Sequence, residues 1–182
     1  MSYNNYDEYS SSSNEDEYDE SSENIIEDYE VKRDNDGFVD IYAHGMCLYN
    51  GTDDATAAIG VWFDDDNQLN VSSRIRGNQT SNRAEIKAIT IACRQALLAN
   101  VRKIRFHTRS NFVKRYNTDL RRKWKENGWR NRNGETLNVK QELLEMEDAL
   151  SEFDKVSWNY VFSDESKGIQ MARELAKDAA YN

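Results

Sequence analysis

At 182 residues the chain has room for one domain of ordinary size and an extension. Its net charge of -9 is uneven: residues 1–30 hold 11 acidic and no basic side chains, leaving 24 basic against 22 acidic groups in the rest. Cys47 and Cys93 are too few for a disulfide framework, no C-x-x-C pair suggests zinc, and no apolar run reaches transmembrane length or forms a secretory signal. The expectation is an intracellular protein, of nucleus or cytoplasm, with no membrane partner.

Residues 1–36 are dominated by Asp, Glu, Ser, Asn and Tyr, relieved by little more than Ile25 and Ile26. Such a stretch buries too little apolar surface to offset its ordering entropy, so a disordered acidic tail is expected there, with a folded domain over 37–182. Ser12, Ser13, Ser21 and Ser22 stand just before acids, where an acid-directed kinase could act.

Asp36-Gly37 marks a turn, and Phe38 to Tyr42 alternates as a strand. Ala57 to Phe63 reads as a second strand, ended at Asp64-Asp65-Asp66-Asn67, and Leu69 to Ile75 as a third. The period then becomes helical, with Ala84, Ala88, Ile91, Ala92, Gln95 and Leu98 on one face and Thr80 or Ser81 as N-cap. Lys103 to His107 is a fourth strand. Ser110 caps a basic helical stretch that runs from about Phe112 to Trp129, followed by a loop at Arg130 to Gly134. Leu143, Met146, Leu150 and Phe153 trace another helix, Val156 to Phe162 a fifth strand, and Ile169 to Ala180 the last helix. This order implies an α/β fold with a five-stranded mixed sheet and helices on both faces.

Three motifs lie along residues 38–180. Gln79-Thr80-Ser81-Asn82-Arg83-Ala84-Glu85 is close to Q-T-N-x-R-A-E at the start of a first helix. Trp124-Lys125-Glu126-Asn127-Gly128-Trp129 matches W-K-x-N-G-W of a basic handle, and Asn50-Gly51 stands where a first hairpin carries S-N-G. Together, in order and correctly spaced, they resemble the ribonuclease H type 1 family, especially its eukaryotic members.

That resemblance implies cleavage of the RNA strand of RNA–DNA hybrids by two magnesium ions on four carboxylates, because only clustered anionic oxygens hold two mutually repelling cations. Laid on this chain, the pattern's first Asp falls at His44, its Glu at Glu85, its second Asp at Arg109 and its last at Arg173. The mobile His loop becomes Tyr160 to Ser166, without histidine or proline. The formal charge moves from -4 to about +1, since arginine does not deprotonate in proteins. Neither neighbouring acid replaces the lost ligands in this register: Glu174 is turned about 100° from Arg173, and Asp40 lies roughly 13 Å along the strand from His44. The expectation is a pseudoenzyme without cofactor, its magnesium lost, with Glu85 paired to Arg109 or Arg173.

By the same resemblance, Thr80 and Asn138 match two residues of a phosphate pocket whose third, an Arg, is Asn78 here. Phe112 and Trp124 match aromatic channel residues, a second channel Trp becomes Leu120, and Asn50, Gly51, Asn82 and Glu85 stand where riboses and bases are read. Segment 102–132 holds 12 basic residues, among them Arg121, Arg122, Lys123 and Lys125, against Asp119 and Glu126, with Trp129 at the end of the motif. That is the footprint of phosphate-backbone binding. The reading is therefore a nucleic-acid binder for RNA–DNA hybrid or RNA that does not cut. One alternative is a protein–protein scaffold of an RNA-processing or silencing complex, docking through the acidic tail or the basic handle. The other is an active hybrid ribonuclease with a non-standard site. Tail and handle are also expected to attract each other loosely.

Overall fold

Alternation along the first strand defines the two faces of the sheet. In the computed structural model, which describes residues 29–162 and 166–182, β1 (Val39–Leu48) turns Val39, Ile41, Ala43 and Gly45 one way and Asp40, Tyr42, His44 and Met46 the other. β2 (Thr56–Trp62) returns antiparallel with His44 opposite Gly60, and β3 (Val71–Arg74) completes the meander. β4 (Lys103–Thr108) and β5 (Lys155–Tyr160) add in parallel on the far side of β1, giving the order β3-β2-β1-β4-β5. The mixed five-stranded sheet expected from the sequence is present.

Parallel neighbours need long crossovers, and helices supply them. α1 (Ser81–Leu98) covers one face through Ala84, Ala88, Ala92 and Ala96, all buried at four-residue spacing. α5 (Lys167–Tyr181) covers the other through Gly168, Ala172, Ala176 and Ala180. Both stripes let backbone approach backbone. A Cβ on Gly45 would lie 2.2 Å from the Glu85 amide nitrogen, and one on Gly60 would lie 1.9 Å from the Ala172 carbonyl oxygen. Between α1 and the sheet, Ile41, Ile86, Ile89, Ile104 and Phe106 are fully buried, joined by Leu143 and Met146 of α4 (Lys140–Ser151).

Several boundaries differ from the sequence reading. β1 runs six residues further, through His44 and Gly45, because its register with β2 continues to Leu48 opposite Thr56. β3 is shorter, since Leu69 is buried ahead of it and Asn70 Oδ1 instead accepts from the Phe63 amide at 2.7 Å. Thr80, not Ser81, caps α1, accepting from the Arg83 amide at 3.3 Å. The handle is not one helix: α2 (Asn111–Arg115), a π-helical turn over Tyr116–Leu120 and α3 (Arg121–Glu126) follow one another, and Gly128 and Trp129 at φ 70° and 62° end it. β5 stops at Tyr160, leaving Phe162 79% exposed.

The expected tail lies outside the described residues as far as position 28. From 29 to 36 the chain belongs to the domain, which corrects the 36/37 boundary. Tyr29 and Val31 pack on the core, Asn67 Nδ2 donates to the Glu30 carbonyl at 2.9 Å, Lys32 pairs with Asp64, and Asp34 pairs with Arg105 at 2.8 Å. No helix of the described residues is long and apolar enough to cross a membrane.

Candidate functional site

The four positions matching the metal ligands come from β1, α1, the end of β4 and α5. His44 projects from β1 on the α5 side, as does Tyr42, whose ring meets Gly168. There His44 and Met46 line a cavity of about 240 Å³ together with Arg173, Glu174, Lys177 and Tyr181 of α5. The structure thus brings His44 and Arg173 together. Glu174 lines the same cavity, with its side chain 62% exposed and 3.7 Å from Lys177.

Glu85 sits on the opposite side of β1, where the approach of Gly45 holds its backbone against the strand. Its Oε2 accepts from Ser110 Oγ at 2.6 Å, and Ser110 Oγ in turn accepts from the Val113 amide at 2.9 Å as the cap of α2. Burial pushes the Glu85 carboxyl up from its ordinary range, and the Ser110 hydrogen bond offsets part of that rise. The expected pairing of Glu85 with Arg109 or Arg173 is corrected: its partner is the Ser110 hydroxyl. Thr108 and Ser110 are buried while Arg109 between them is exposed, so the extended backbone turns a hydroxyl inward and the guanidinium outward.

A two-metal centre needs clustered carboxylates, and these residues do not fit it. One carboxylate, one imidazole and two guanidiniums occupy the four positions. Among the described residues, no three His, Cys, Asp or Glu side chains converge on a point that could hold a metal ion. Asp40, the other neighbouring acid, is already engaged. It accepts from Arg105 at 3.0 Å and lies 2.8 Å from His107 Nε2. Asn159 Nδ2 lies 3.0 Å from His107 Nδ1, on the other side of the ring. Stacked on Tyr42 at 4.3 Å, His107 is a structural residue.

The residues matching the nucleic-acid surface gather at one end of α1 and α4. Ion pairs Arg83–Glu142 and Lys87–Glu145 hold these helices side by side in the same direction. Thr80 at the α1 N-terminus and exposed Asn138 just before α4 therefore share an end where backbone dipoles favour anions. Asn50 Oδ1 accepts from the Ser81 amide at 3.2 Å, tying the β1–β2 hairpin, where Gly51 has φ 90°, to that end. Asn78 and Asn82 are exposed beside it. In the handle the Phe112 and Tyr116 rings lie 6.2 and 6.0 Å from Trp124, with Leu120 half-buried. Trp129, only 9% exposed, belongs to the core cluster.

The charge of the handle is also smaller than a count along 102–132 suggests. Glu147 of α4 accepts from Tyr116 Oη at 2.5 Å, from Arg121 at 2.6 Å and from Lys125 at 2.7 Å. Burial works against its ionisation, yet Lys125, Tyr116 and Arg121 hold its carboxyl below the ordinary range. Lys123 pairs with Asp119 at 2.8 Å, Arg105 with Asp34 and Asp40, and Arg122 lies 4.0 Å from Glu126. Sequence reasoning missed Glu147 and Lys177, and did not single out Lys114 within the basic segment; the Lys114 ammonium stands 4.7 Å from the Phe162 ring centre. Only Lys177 carried a signal, its four-residue spacing from Arg173.

Comparison with known proteins agrees with this architecture. The family model for RNase H matches residues 36–181. Ribonuclease H1 of Mus musculus is 34% identical over 144 residues, covering 76% of this chain and 50% of the mouse protein. Ribonuclease H1 of Homo sapiens is 33% identical over 147 residues, covering 78% and 51%. The chain therefore spans about half the length of these relatives. Among solved structures, RNase H1 from the archaeon Halobacterium salinarum NRC-1 superposes with a TM-score of 0.58 at 22% identity, covering 79% of this chain and 97% of that one.

Proposed function

This chain belongs to the RNase H family, type 1, and on that footing we propose that it binds nucleic acid, with an RNA–DNA hybrid as first candidate, and does not cut it by two-metal hydrolysis. The observation that carries the reading is the make-up of the site. Glu85 is the one carboxylate retained, hydrogen-bonded to a neutral hydroxyl, while His44 and Arg173 share a cavity where two anions would be needed. These residues do not fit the pair of ions that would activate water, so hydrolysis by that route has no support in them.

Binding has a physical basis in the residues that remain. The paired N-termini of α1 and α4, with Thr80 and Asn138, offer amides and hydroxyls to a phosphate, and Asn50 and Asn82 stand beside them to meet a ribose edge. Phe112 and Trp124 provide ring surface along the handle, and Arg122 at 81% side-chain exposure provides charge. The relatives named Ribonuclease H1 support hybrid as the candidate substrate.

One observation favours the second reading, a protein-docking scaffold. Glu147 ties down Arg121 and Lys125, and Asp34 and Asp40 tie down Arg105, so fewer cations face solvent than the sequence count implies. Salt separates the two. Affinity for labelled hybrid should fall steeply as salt rises if phosphates are contacted. No binding to hybrid at low salt would reject the proposal and leave the scaffold reading.

A further inference from the structure

β5 is the last strand of the sheet, and among the described residues no strand pairs with its outer edge. We propose that a second copy of this chain does, two β5 strands meeting antiparallel about a two-fold axis to make one continuous sheet. This goes beyond the nucleic-acid reading and does not rest on it.

The backbone sets the register. The amides of Lys155 and Val161 donate toward β4, to the carbonyls of Arg102 at 3.3 Å and Thr108 at 2.9 Å. Backbone groups alternate sides along a strand, so those of Val156, Trp158 and Tyr160 face outward. With Trp158 on the axis, it meets Trp158 of the second copy, and Val156 of each copy meets Tyr160 of the other. Each pair then exchanges both N–H···O bonds, and every outward group finds a partner.

Side chains suit the same register. Val156 and Trp158 pack on the core, and the Trp158 ring lies 5.0 Å from Phe106 and 6.1 Å from Tyr160. Pairing sets aromatic against aromatic and aromatic against a β-branched residue, both favourable across antiparallel strands. A cavity of about 250 Å³ flanked by Leu150, Val156 and Trp158 leaves room for the second copy's Tyr160 ring beside Val156. Ser157 and Asn159 face the other way, where α5 packs on β1, β2 and β3 rather than on β5, so that side stays polar.

This edge lacks the usual protections of an exposed strand. The chain has no proline, and Lys155, at the start of β5, is its one charged residue. Charge instead favours an antiparallel copy. Lys114 stands 5.9 Å from the Tyr160 ring centre at one end of β5, and Asp154, 64% exposed, precedes the other end. The two-fold axis carries each Lys114 toward the second copy's Asp154, which its own Arg102 holds only at 3.9 Å. The chain's own N-terminal segment is the poorer occupant, because Glu30 is held by Asn67 in the turn between β2 and β3, away from β5 in the strand order.

The test uses the full chain without nucleic acid. Sedimentation velocity follows mass as concentration rises, and NMR amide exchange is read along β5 in the same samples. The mass should double from that of one 21.2 kDa chain. As it does, the amides of Val156, Trp158 and Tyr160 should become protected, while those of Ser157 and Asn159, which face β4, should not change. Val156→Pro removes an outward N–H and no bond to β4, a substitution that an edge strand tolerates. It should abolish the doubling and leave the amide spectrum away from β5 unchanged. Lys114→Glu should weaken association and Lys114→Glu/Asp154→Lys should restore it, so the pairing is tested even if Val156→Pro fails to fold. A mass of one chain at every concentration overturns the proposal. So does a dimer whose Val156, Trp158 and Tyr160 amides exchange as in the monomer, since the copies then meet elsewhere. Protection of those amides at the mass of one chain also overturns it, because a segment of the same chain then covers the edge.

Discussion

Ser110 donates its hydroxyl to Glu85 at 2.6 Å, so the one acid retained from the four-carboxylate pattern is held by a neutral partner. Two arginines follow the pattern within the same set of positions, yet backbone alternation gives Ser110 the inward place and Arg109 the outward one. Glu85 is therefore a half-buried carboxyl whose ionisation is set by desolvation and a hydroxyl, and its properties follow from that.

Replacement of Glu85 by Gln is expected to stabilise the protein at neutral pH. Burial raises the folded-state carboxyl above its ordinary 4.5, so the native state binds this proton more tightly than the unfolded state. Stability then falls as pH rises from the ordinary glutamate range through the raised folded value, and the deficit persists above it. Gln keeps an acceptor for Ser110 and removes the charge. Thermal denaturation across pH should show a gain of roughly 0.5–2 kcal/mol at neutral pH, the range typical of such substitutions, vanishing in acid. An equal or lower melting temperature at neutral pH would contradict this.

Glu147→Gln should act in the opposite sense. Its carboxyl is held below the ordinary range, so its stabilisation is present above that range and is lost as pH falls through the folded value. The variant should lose about 1–3 kcal/mol at neutral pH, as when a hydrogen-bonded buried group loses a charged partner, with the gap closing in acid. Because Arg121 and Lys125 are released, hybrid binding should gain affinity at low salt and a steeper salt dependence. Unchanged binding would show that these cations face away from the nucleic acid.

Much of the fold was legible because its elements carry clean periodicities, as the alanine stripe of α1 shows. β1 was read too short because His44 and Gly45 break the apolar alternation, although pairing with β2 continues through them. The π-helical turn has no local signature and divides a stretch that reads as one helix. At the site, the exchange of carboxylates for His44, Arg109 and Arg173 was legible in the motifs themselves. What joins them was not. Ser110 as the partner of Glu85, Glu174 within the cavity and Glu147 beneath the handle are tertiary facts. Counting charge along 102–132 could not include Asp34, Asp40 and Glu147, which arrive from elsewhere in the chain.

Gly60→Ala tests the seating of α5. The added methyl would meet the Ala172 carbonyl oxygen at 1.9 Å, a contact only backbone movement can relieve. Overpacking of this kind costs about 1–3 kcal/mol and sometimes more. Urea denaturation should show a loss at the upper end of that range, and the His44 signal should shift as α5 is displaced. A loss below about 0.5 kcal/mol, the scale of a neutral surface change, would mean that the helix sits further from the sheet than this contact requires.

Cleavage itself decides whether the site is dead. Purified full-length protein is incubated with a labelled RNA–DNA hybrid in magnesium and, separately, in manganese, beside a Glu85→Gln variant prepared identically. We expect the hybrid to be bound and to stay intact, with wild type and variant indistinguishable in both metals. Metal-dependent cutting of the RNA strand by the wild type that disappears in Glu85→Gln would contradict the reading, because a single carboxylate beside His44, Arg109 and Arg173 would then be sustaining the hydrolysis.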